Sequence, residues 1–194
     1  MQARITGIGH YVPEKRLTNQ ELEQMVDTTD DWIITRTGIK ERRILDEGKG
    51  TSFMAVKAAK MILEQRQLAA DEIELIIVAT VTPDMTVPST AAVVQKELNA
   101  TNCWGFDLNG ACSGFLYALA TASQFIESGR HQKVLVIGAD KMSSIIDYSD
   151  RNTCILFGDA AGAVLLEPSE NDEEGIKDFN LHLDGRGEKY LYIP

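Results

Sequence analysis

The chain has 194 residues, 44% of them hydrophobic, and a formal net charge of −10. This length and composition allow a substantial core, and they favour one domain or a large half of a bigger protein. The negative charge, with no long basic block to offset it, argues against a nucleic-acid partner.

The amino-terminal quarter is predicted to hold one strand and two short helices. Residues 4–12 alternate between apolar and polar as a strand does, and a capping box that starts at Thr18 opens a short helix. A second helix is predicted over residues 29–36, with acidic side chains in its first turn and a glycine after its end. Residues 39–45 follow as an extended segment.

The central part of the chain alternates between helices and apolar strands. Helices are predicted at residues 51–66, 89–98 and 113–128, and strands at residues 74–80, 103–107 and 133–139. Parallel strands joined by crossover helices explain this alternation best.

The last part of the chain has a different character. A glycine turn leads into a strand at residues 157–166, and residues 175–184 are predicted to be its antiparallel neighbour across the acidic turn 169–174. The central sheet is therefore expected to be mixed. The chain stops at residues 191–194 without a terminal element, and from this we expect a truncated polypeptide.

The sequence carries no signal for a membrane or an oxidising compartment. Its longest apolar stretches, residues 75–81 and 160–166, are only as long as strands, and the amino terminus lacks the apolar core of a signal peptide. The three cysteines have neither disulfide-framework nor zinc-site spacing. We therefore predict a cytoplasmic protein with reduced thiols, no metal ion and no membrane partner.

Cys112 is the strongest candidate for a reactive side chain. It lies where the strand at 103–107 should turn sharply into the helix at 113–128, and Gly110 and Gly114 permit a tight turn there. The unpaired N–H groups of a helix start favour a thiolate, so the sequence predicts a nucleophile on an elbow. The alternative is a small buried apolar residue, which is what most free cysteines are.

Three segments of the chain closely resemble β-ketoacyl-acyl carrier protein synthase III, the family of condensing enzymes that starts type II fatty acid synthesis. They are DTTDDWIITRTGIKER at residues 27–42, NGACSGF at residues 109–115 and FGDAAGA at residues 157–163. Their order and intervals match the family, and the resemblance runs from Arg4 to the end of the chain.

The resemblance implies a thiolase-like α/β fold of two similar βαβαβαββ halves, each with a mixed central sheet covered by helices. Residues 1–194 would form the amino-terminal half, and the second half is absent. The implied activity is an acyltransferase that condenses an acyl-CoA primer, expected to be acetyl-CoA, with malonyl-acyl carrier protein through an acyl-cysteine intermediate. A homodimer is implied for the intact enzyme. No cofactor is implied, because the coenzyme A thioester is a substrate.

The resemblance also implies roles for individual residues. Cys112 would be the catalytic nucleophile, and its main-chain N–H would help to hold the thioester oxyanion. Trp32 and Arg151 match an adenine clamp, in which the base is held by stacking and cation–π attraction. The other substrate-binding residues implied are Thr28 and Arg36 on the coenzyme, Phe157 and Met142 in the acyl pocket, and Val87 where a neighbouring subunit closes that pocket.

Several of these residues have plainer interpretations. Trp32 and Phe157 could be packing aromatics. A solvated basic face could instead be formed by Arg36, Lys40, Arg42 and Arg43. Asp159 could fix the turn beside it by accepting main-chain hydrogen bonds, or it could be a solvated carboxylate.

The resemblance leaves one part of the family mechanism without residues in this chain. That mechanism needs a histidine and an asparagine from the second half, and none of the three histidines present lies in a matching motif. The chain alone is therefore not expected to complete the condensation. The alternative function is a non-catalytic module that binds coenzyme A or keeps the dimer surface for assembly.

Overall fold

The computed structural model describes residues 2–171 and 174–193, and it confirms the predicted alternation of strands and helices. The strands are β1 (Ala3–Tyr11), β2 (Arg16–Thr18), β3 (Glu41–Arg43), β4 (Leu75–Ala79), β5 (Trp104–Leu108), β6 (Val134–Lys141) and β7 (Asp159–Pro168). The helices are α1 (Asn19–Leu22), α2 (Asp30–Thr37), α3 (Thr51–Arg66), α4 (Thr90–Leu98) and α5 (Gly114–Glu127).

Five of the strands form one mixed sheet in the order β1-β7-β6-β4-β5. Strand β4 pairs in parallel with both β5 and β6, whereas β7 runs antiparallel to both β1 and β6. The helices α3, α4 and α5 join these strands in a βαβαβαββ succession. The predicted α/β fold with a mixed central sheet is therefore confirmed.

Helices cover both faces of this sheet. Helices α3 and α4 pack on one face, where Met54, Ile62 and Val94 are fully buried, and α5 packs on the other through Ala122 and Ile126. Strand β4 is buried along its whole length, as its continuous apolar run predicts. No helix among the described residues is both long enough and apolar enough to cross a membrane.

A smaller unit precedes α3 and lies beside the end of the main sheet. Strands β2 and β3 form a two-stranded antiparallel ribbon, and α1 begins with the predicted capping box between Thr18 and Glu21. Helix α2 is capped by Thr29 and ends at Gly38, whose φ of 72° lies in the left-handed region that favours glycine. Leu22 and Ile33 form a small core with Cys154 and Ile155 from a distant part of the chain, which fixes α2 against that segment.

The predicted strand at residues 175–184 is wrong. The described residues of this segment contain no strand, and the antiparallel neighbours of β7 are β1 and β6 instead. The main chain of Ile176 only donates one hydrogen bond to Ala3 O, at 2.8 Å. Because β1 and β6 already supply both hydrogen-bonding partners of β7, no edge remains for a hairpin partner. Part of the predicted acidic turn at 169–174 lies outside the described residues.

Candidate active site

Cys112 lies on a sharp turn between β5 and α5, as the sequence predicts. Residues Ala111–Ser113 form one turn of 3-10 helix, and α5 begins at the next residue. Ala111 has a φ of +46°, which is rare for a residue with a side chain and indicates a strained turn. The side chain of Cys112 is exposed, so the alternative of a buried packing cysteine is wrong.

Gly110 is what allows the turn to be this tight. A Cβ atom at this position would lie 2.6 Å from Cδ2 of Tyr117 and 2.9 Å from the Cα atom of Gly114. Both distances are shorter than carbon atoms can approach without displacement, and one of the two contacts is to the main chain. The residue before the elbow therefore has to be glycine for the chain to double back onto α5.

The turn opens onto a cavity of about 290 Å³. Most of its lining consists of alanine and glycine, and the remaining residues are Cys112, Phe115 and Asp140. The small lining residues are Ala79, Ala111, Gly138, Ala139, Gly158, Ala160, Ala161 and Gly162. The thiol therefore faces a space bounded mainly by main chain and methyl groups.

Two aspartates at the ends of parallel strands hold the loops around this cavity. Oδ1 of Asp140, the next-to-last residue of β6, accepts hydrogen bonds from the main-chain N–H groups of Val81 and Thr82 at 2.8 and 3.2 Å. The carboxylate of Asp107 accepts from the N–H groups of Thr90 and Ala91 at 2.6 and 2.8 Å. These carboxylates hold the segment after β4 and the start of α4 against the sheet, close to the elbow.

Asp159 is a third such carboxylate, and it is 1% exposed. It accepts hydrogen bonds from the N–H groups of Leu45 and Ser143, at 2.7 and 2.8 Å, and from the Ser143 hydroxyl at 2.6 Å. The predicted main-chain hydrogen bonds to Asp159 are therefore confirmed, and the alternative of a solvated carboxylate is wrong. The donors lie at Leu45 and in the turn at residues 142–144, however, and not in the turn beside Asp159 itself. The turn that it holds includes Met142 and lies beside Gly158 of the cavity wall.

Trp32 and two arginines form a second cluster. The guanidinium carbon of Arg36 lies 4.3 Å from the centre of the Trp32 ring, and that of Arg151 lies 4.5 Å from it. The N–H of Trp32 donates to the N-cap Thr29 at 3.1 Å, which anchors the first turn of α2, and Arg151 also pairs with Asp27 at 3.5 Å. Trp32 is half-buried against the small core, so it packs and presents a ring surface at the same time.

Thr28 lies directly before this cluster and has an unsatisfied polar atom. Its Oγ1 is buried and makes no hydrogen bond within the described residues. A buried hydroxyl without a partner is unfavourable, because it has lost its bonds to water. The side chain is therefore suited to a bond with a bound molecule.

The residues assigned to the acyl pocket are more dispersed. Phe157 directly precedes Gly158 of the cavity wall, and Met142 lies in a 3-10 turn after β6. Neither residue lines the 290 Å³ cavity itself, and nor does Val87, whose side chain is 80% exposed in the loop before α4. Thus the structure groups Trp32 with its two arginines, whereas Phe157, Met142 and Val87 do not line the cavity that contains Cys112.

Arg42 is buried, although the charged residues around it in the sequence indicated a solvated position. Arg42 is only 3% exposed, so it does not belong to a solvated basic face. Its guanidinium donates to Ile155 O and to Oδ1 of the buried Asn19. Burial lowers the pKa of this group. The charged run of residues 40–43 conceals Arg42, since nothing in the sequence distinguishes it from Arg43 beside it.

The other cysteines differ from Cys112. Cys154 is buried in the small core and Cys103 is half-buried, and in both cases burial raises the pKa of the thiol. Both are therefore packing residues. In residues 2–171 and 174–193 no three His, Cys, Asp or Glu side chains are grouped so that they could hold a metal ion.

Comparison with known proteins gives consistent matches in sequence. A family model described as 3-oxoacyl-[acyl-carrier-protein (ACP)] synthase III matches residues 106–185. The chain is 57% identical over 196 residues to the β-ketoacyl-[acyl-carrier-protein] synthase III of Chlorobaculum tepidum, which covers 100% of this chain and 60% of the relative. It is 61% identical over 186 residues to the protein of that name from Chlorobium chlorochromatii, covering 95% of this chain and 56% of the relative.

The solved structures agree with the sequences. A β-ketoacyl-[acyl carrier protein] synthase III from Thermus thermophilus superposes with a TM-score of 0.92 at 44% identity, over 97% of this chain and 58% of that one. The 3-oxoacyl-[acyl-carrier-protein] synthase III of Aquifex aeolicus gives 0.85 at 52% identity, over 87% and 55%. These matches confirm the predicted resemblance and the thiolase-like fold, and the chain spans only 55–60% of the length of these four relatives.

Proposed function

Since the chain shares its sequence and its fold with β-ketoacyl-acyl carrier protein synthase III, we propose that it carries the acyl-accepting part of that acyltransferase. The observation that carries the proposal is the exposed thiol of Cys112 on a strained turn, facing a cavity beside the start of α5. Residues 1–194 would then be the amino-terminal half of the enzyme. The intact protein would start type II fatty acid synthesis.

The first chemical step would be transfer of an acyl group to Cys112. The thiolate attacks the carbonyl carbon of an acyl-CoA, the carbonyl electron pair moves onto oxygen, and the tetrahedral intermediate collapses with release of the coenzyme A thiolate. The main-chain N–H of Cys112 would help to stabilise the transient oxyanion, whereas the N–H groups of Ser113 and Gly114 already donate to Gly110 O and Ala111 O. A cavity of about 290 Å³ lies at the small end of ligand pockets, which favours a short primer such as acetyl-CoA.

The cluster around Trp32 would bind the adenine end of coenzyme A. In the structure Arg151 stacks directly on the Trp32 ring, so an adenine would enter by separating the two side chains and stacking between them. Arg36 lies over the same ring and would pair with a phosphate of the coenzyme, and the unsatisfied Thr28 hydroxyl would bond to the base or the ribose. These contacts would give affinity for the coenzyme without touching the reacting atoms.

The residues Phe157, Met142 and Val87 would shape the rest of the acyl pocket. Met142 lies in the turn that Asp159 holds through Ser143, and Phe157 directly precedes Gly158 of the cavity wall. Val87 is 80% exposed and would reach the pocket of a neighbouring subunit in a homodimer. An exposed valine in a loop that is held at both ends by Asp140 and Asp107 suits such a contact.

In the intact enzyme the second step would be a decarboxylative condensation. Loss of carbon dioxide from malonyl-acyl carrier protein leaves a carbanion, which attacks the acyl-cysteine and releases the thiol. No cofactor is proposed for either step, and the cytoplasm is the proposed compartment. The residues that would stabilise the carbanion are expected from the second half of the enzyme.

Acylation of Cys112 is the direct test of this function. The chain is incubated with acetyl-CoA, and peptide mass spectrometry locates any acetyl group. We expect a single adduct on Cys112, none in a Cys112→Ala variant, and unchanged labelling in a Cys103→Ala control, because Cys103 is half-buried.

The same experiment distinguishes the alternative function. A folded sample that binds acetyl-CoA but gains no adduct would indicate a non-catalytic coenzyme A-binding module. A folded sample that neither binds acetyl-CoA nor becomes acylated would rule out the acyltransferase and the coenzyme A-binding module, and it would leave only assembly through the dimer surface.

A further inference from the structure

Arg42 connects the two parts of the chain that carry the Trp32 cluster. It lies in the middle of β3 and is 3% exposed. Its Nε donates to Ile155 O at 2.8 Å, Nη2 donates to the same oxygen, and Nη1 donates to Oδ1 of Asn19. One planar side chain thus bridges the small amino-terminal unit and the segment between β6 and β7.

On one side of this bridge is α2, which carries Trp32 and Arg36. The Asn19 amide donates to Oδ1 of Asp30, the first residue of α2, at 2.7 Å, and to Ile39 O, just past the end of α2, at 2.9 Å. Asn19 is fully buried. Because both ends of α2 bond to the same amide, the position of Asn19 sets the position of the helix.

On the other side is the turn-rich segment that carries Arg151. Ile155, whose carbonyl receives two donors from Arg42, follows Cys154, and the N–H of Cys154 donates to Asp150 O at 3.0 Å. Ile155 and Cys154 also pack against Ile33 of α2 in the small core. The guanidinium therefore holds this segment four residues from Arg151.

The charge of Arg42 is not balanced by an ion pair in the described part of the chain. A buried cation that bonds only to neutral acceptors costs free energy, and an apolar side chain would fill the same space without that cost. What arginine adds is a rigid fork of donors that fixes two acceptors at set distances and angles. Neither lysine nor an apolar residue can reproduce this geometry.

We propose that Arg42 is a positioning residue, which sets the separation of Trp32 and Arg151 and thereby the affinity for the adenosine end of a coenzyme A thioester. The proposal rests on the proposed function of the Trp32 cluster. Arg42 itself touches no substrate. Its loss should weaken selection of the adenosine moiety, and it should leave the reactivity of Cys112 unaltered.

The test compares two acyl donors on each variant. Acetyl-CoA carries the adenosine end and acetyl-pantetheine lacks it, so the ratio of their Cys112 acylation rates reports the cluster alone. We expect the ratio of the acetyl-CoA rate to the acetyl-pantetheine rate to fall about tenfold in Arg42→Lys and Arg42→Met, toward its value in Trp32→Ala. A tenfold change is the size expected for the loss of one stacking contact. The acetyl-pantetheine rate should not change. Arg43→Met is the matched control, since Arg43 is half-exposed on the same strand.

A second measurement does not depend on substrate. With Trp104→Phe as background, Trp32 is the single tryptophan, and its fluorescence emission reports the Arg151 contact. Arg151→Ala should change that emission when Arg42 is present and should have little further effect in Arg42→Lys. Additive effects of the two substitutions would overturn the proposal.

The outcomes separate this proposal from the proposed function. If the wild-type chain accepts both donors equally, the coenzyme-binding function fails, and the emission measurement still decides whether Arg42 positions the cluster. If Trp32→Ala lowers the ratio and both Arg42 variants leave it unchanged, only the Arg42 proposal fails. Equal slowing with both donors, or loss of the folded circular dichroism spectrum in both Arg42 variants, would indicate a purely structural residue.

Discussion

Replacing Asp159 by alanine should destabilise the protein through main-chain groups that lose their acceptor. The substitution leaves the N–H groups of Leu45 and Ser143 without a partner, in a site where the aspartate is 1% exposed and water has little access. Each unsatisfied buried donor costs about 1–3 kcal/mol, and the Ser143 hydroxyl can rotate, so the expected loss in the free energy of unfolding is about 2–6 kcal/mol. Asp159→Asn keeps one acceptor oxygen and should lose about half as much.

Urea denaturation followed by circular dichroism measures this loss. Asp71→Ala is the matched control, because Asp71 also accepts from a main-chain N–H and a hydroxyl, both of Thr101, but is exposed. Water can replace that carboxylate, so the control should lose about 1 kcal/mol or less. An Asp159→Ala variant no less stable than Asp71→Ala would refute the reasoning that burial makes these bonds decisive.

Three further predictions concern two glycines and one acidic turn. In Gly9→Ala the new Cβ would lie 2.1 Å from a main-chain oxygen of α3, so the thermal midpoint should fall by several degrees, corresponding to about 1–3 kcal/mol. Gly162→Ala is the control and should leave the midpoint nearly unchanged, because its Cβ would have no atom within 4 Å apart from its chain neighbours. Gly110→Ala should slow acylation of the nucleophile at least tenfold, or about 1.4 kcal/mol, in a chain whose circular dichroism spectrum is retained, because its Cβ would lie 2.9 Å from a main-chain carbon of α5. Hydrogen bonds within its turn lower the pKa of Asp150, so this carboxylate stabilises the turn above the ordinary aspartate pKa of about 3.9 and ceases to do so as the pH falls through its lower folded value. Emission of Trp32 as the sole tryptophan should therefore change on acidification below about pH 4, and an Asp150→Asn variant that kept the whole transition would contradict this assignment.

Periodicity and local chemistry predicted most of the fold. The apolar run of β4, the capping box at Thr18 and the glycine after α2 each act within a few residues, and each is found where the sequence indicated. The elbow at Cys112 was predictable for the same reason, because two small residues and a following amphipathic helix are local features. The roles of the substrate-binding residues came from resemblance, and they remain predictions.

The failures have non-local causes. Residues 175–184 read as a strand, but a strand needs a free partner, and β7 already lies between β1 and β6. The burial of Arg42 depends on Asn19 and Ile155, which are brought to it by the fold and not by the chain around it. Local sequence patterns contain no information about which distant residues the fold brings into contact.

The pairing of β1 has a consequence for synthesis on the ribosome. Tyr11 pairs with Ala161 and Ala3 with Pro168, and β7 is the only strand with which β1 pairs in the described residues. Strand β1 therefore emerges first from the ribosome but cannot pair until β7 has been synthesised, whereas β4, β5 and β6 can pair before then. Contacts this distant in sequence slow folding, so a nascent chain arrested before Pro168 should keep its amino terminus open to proteases.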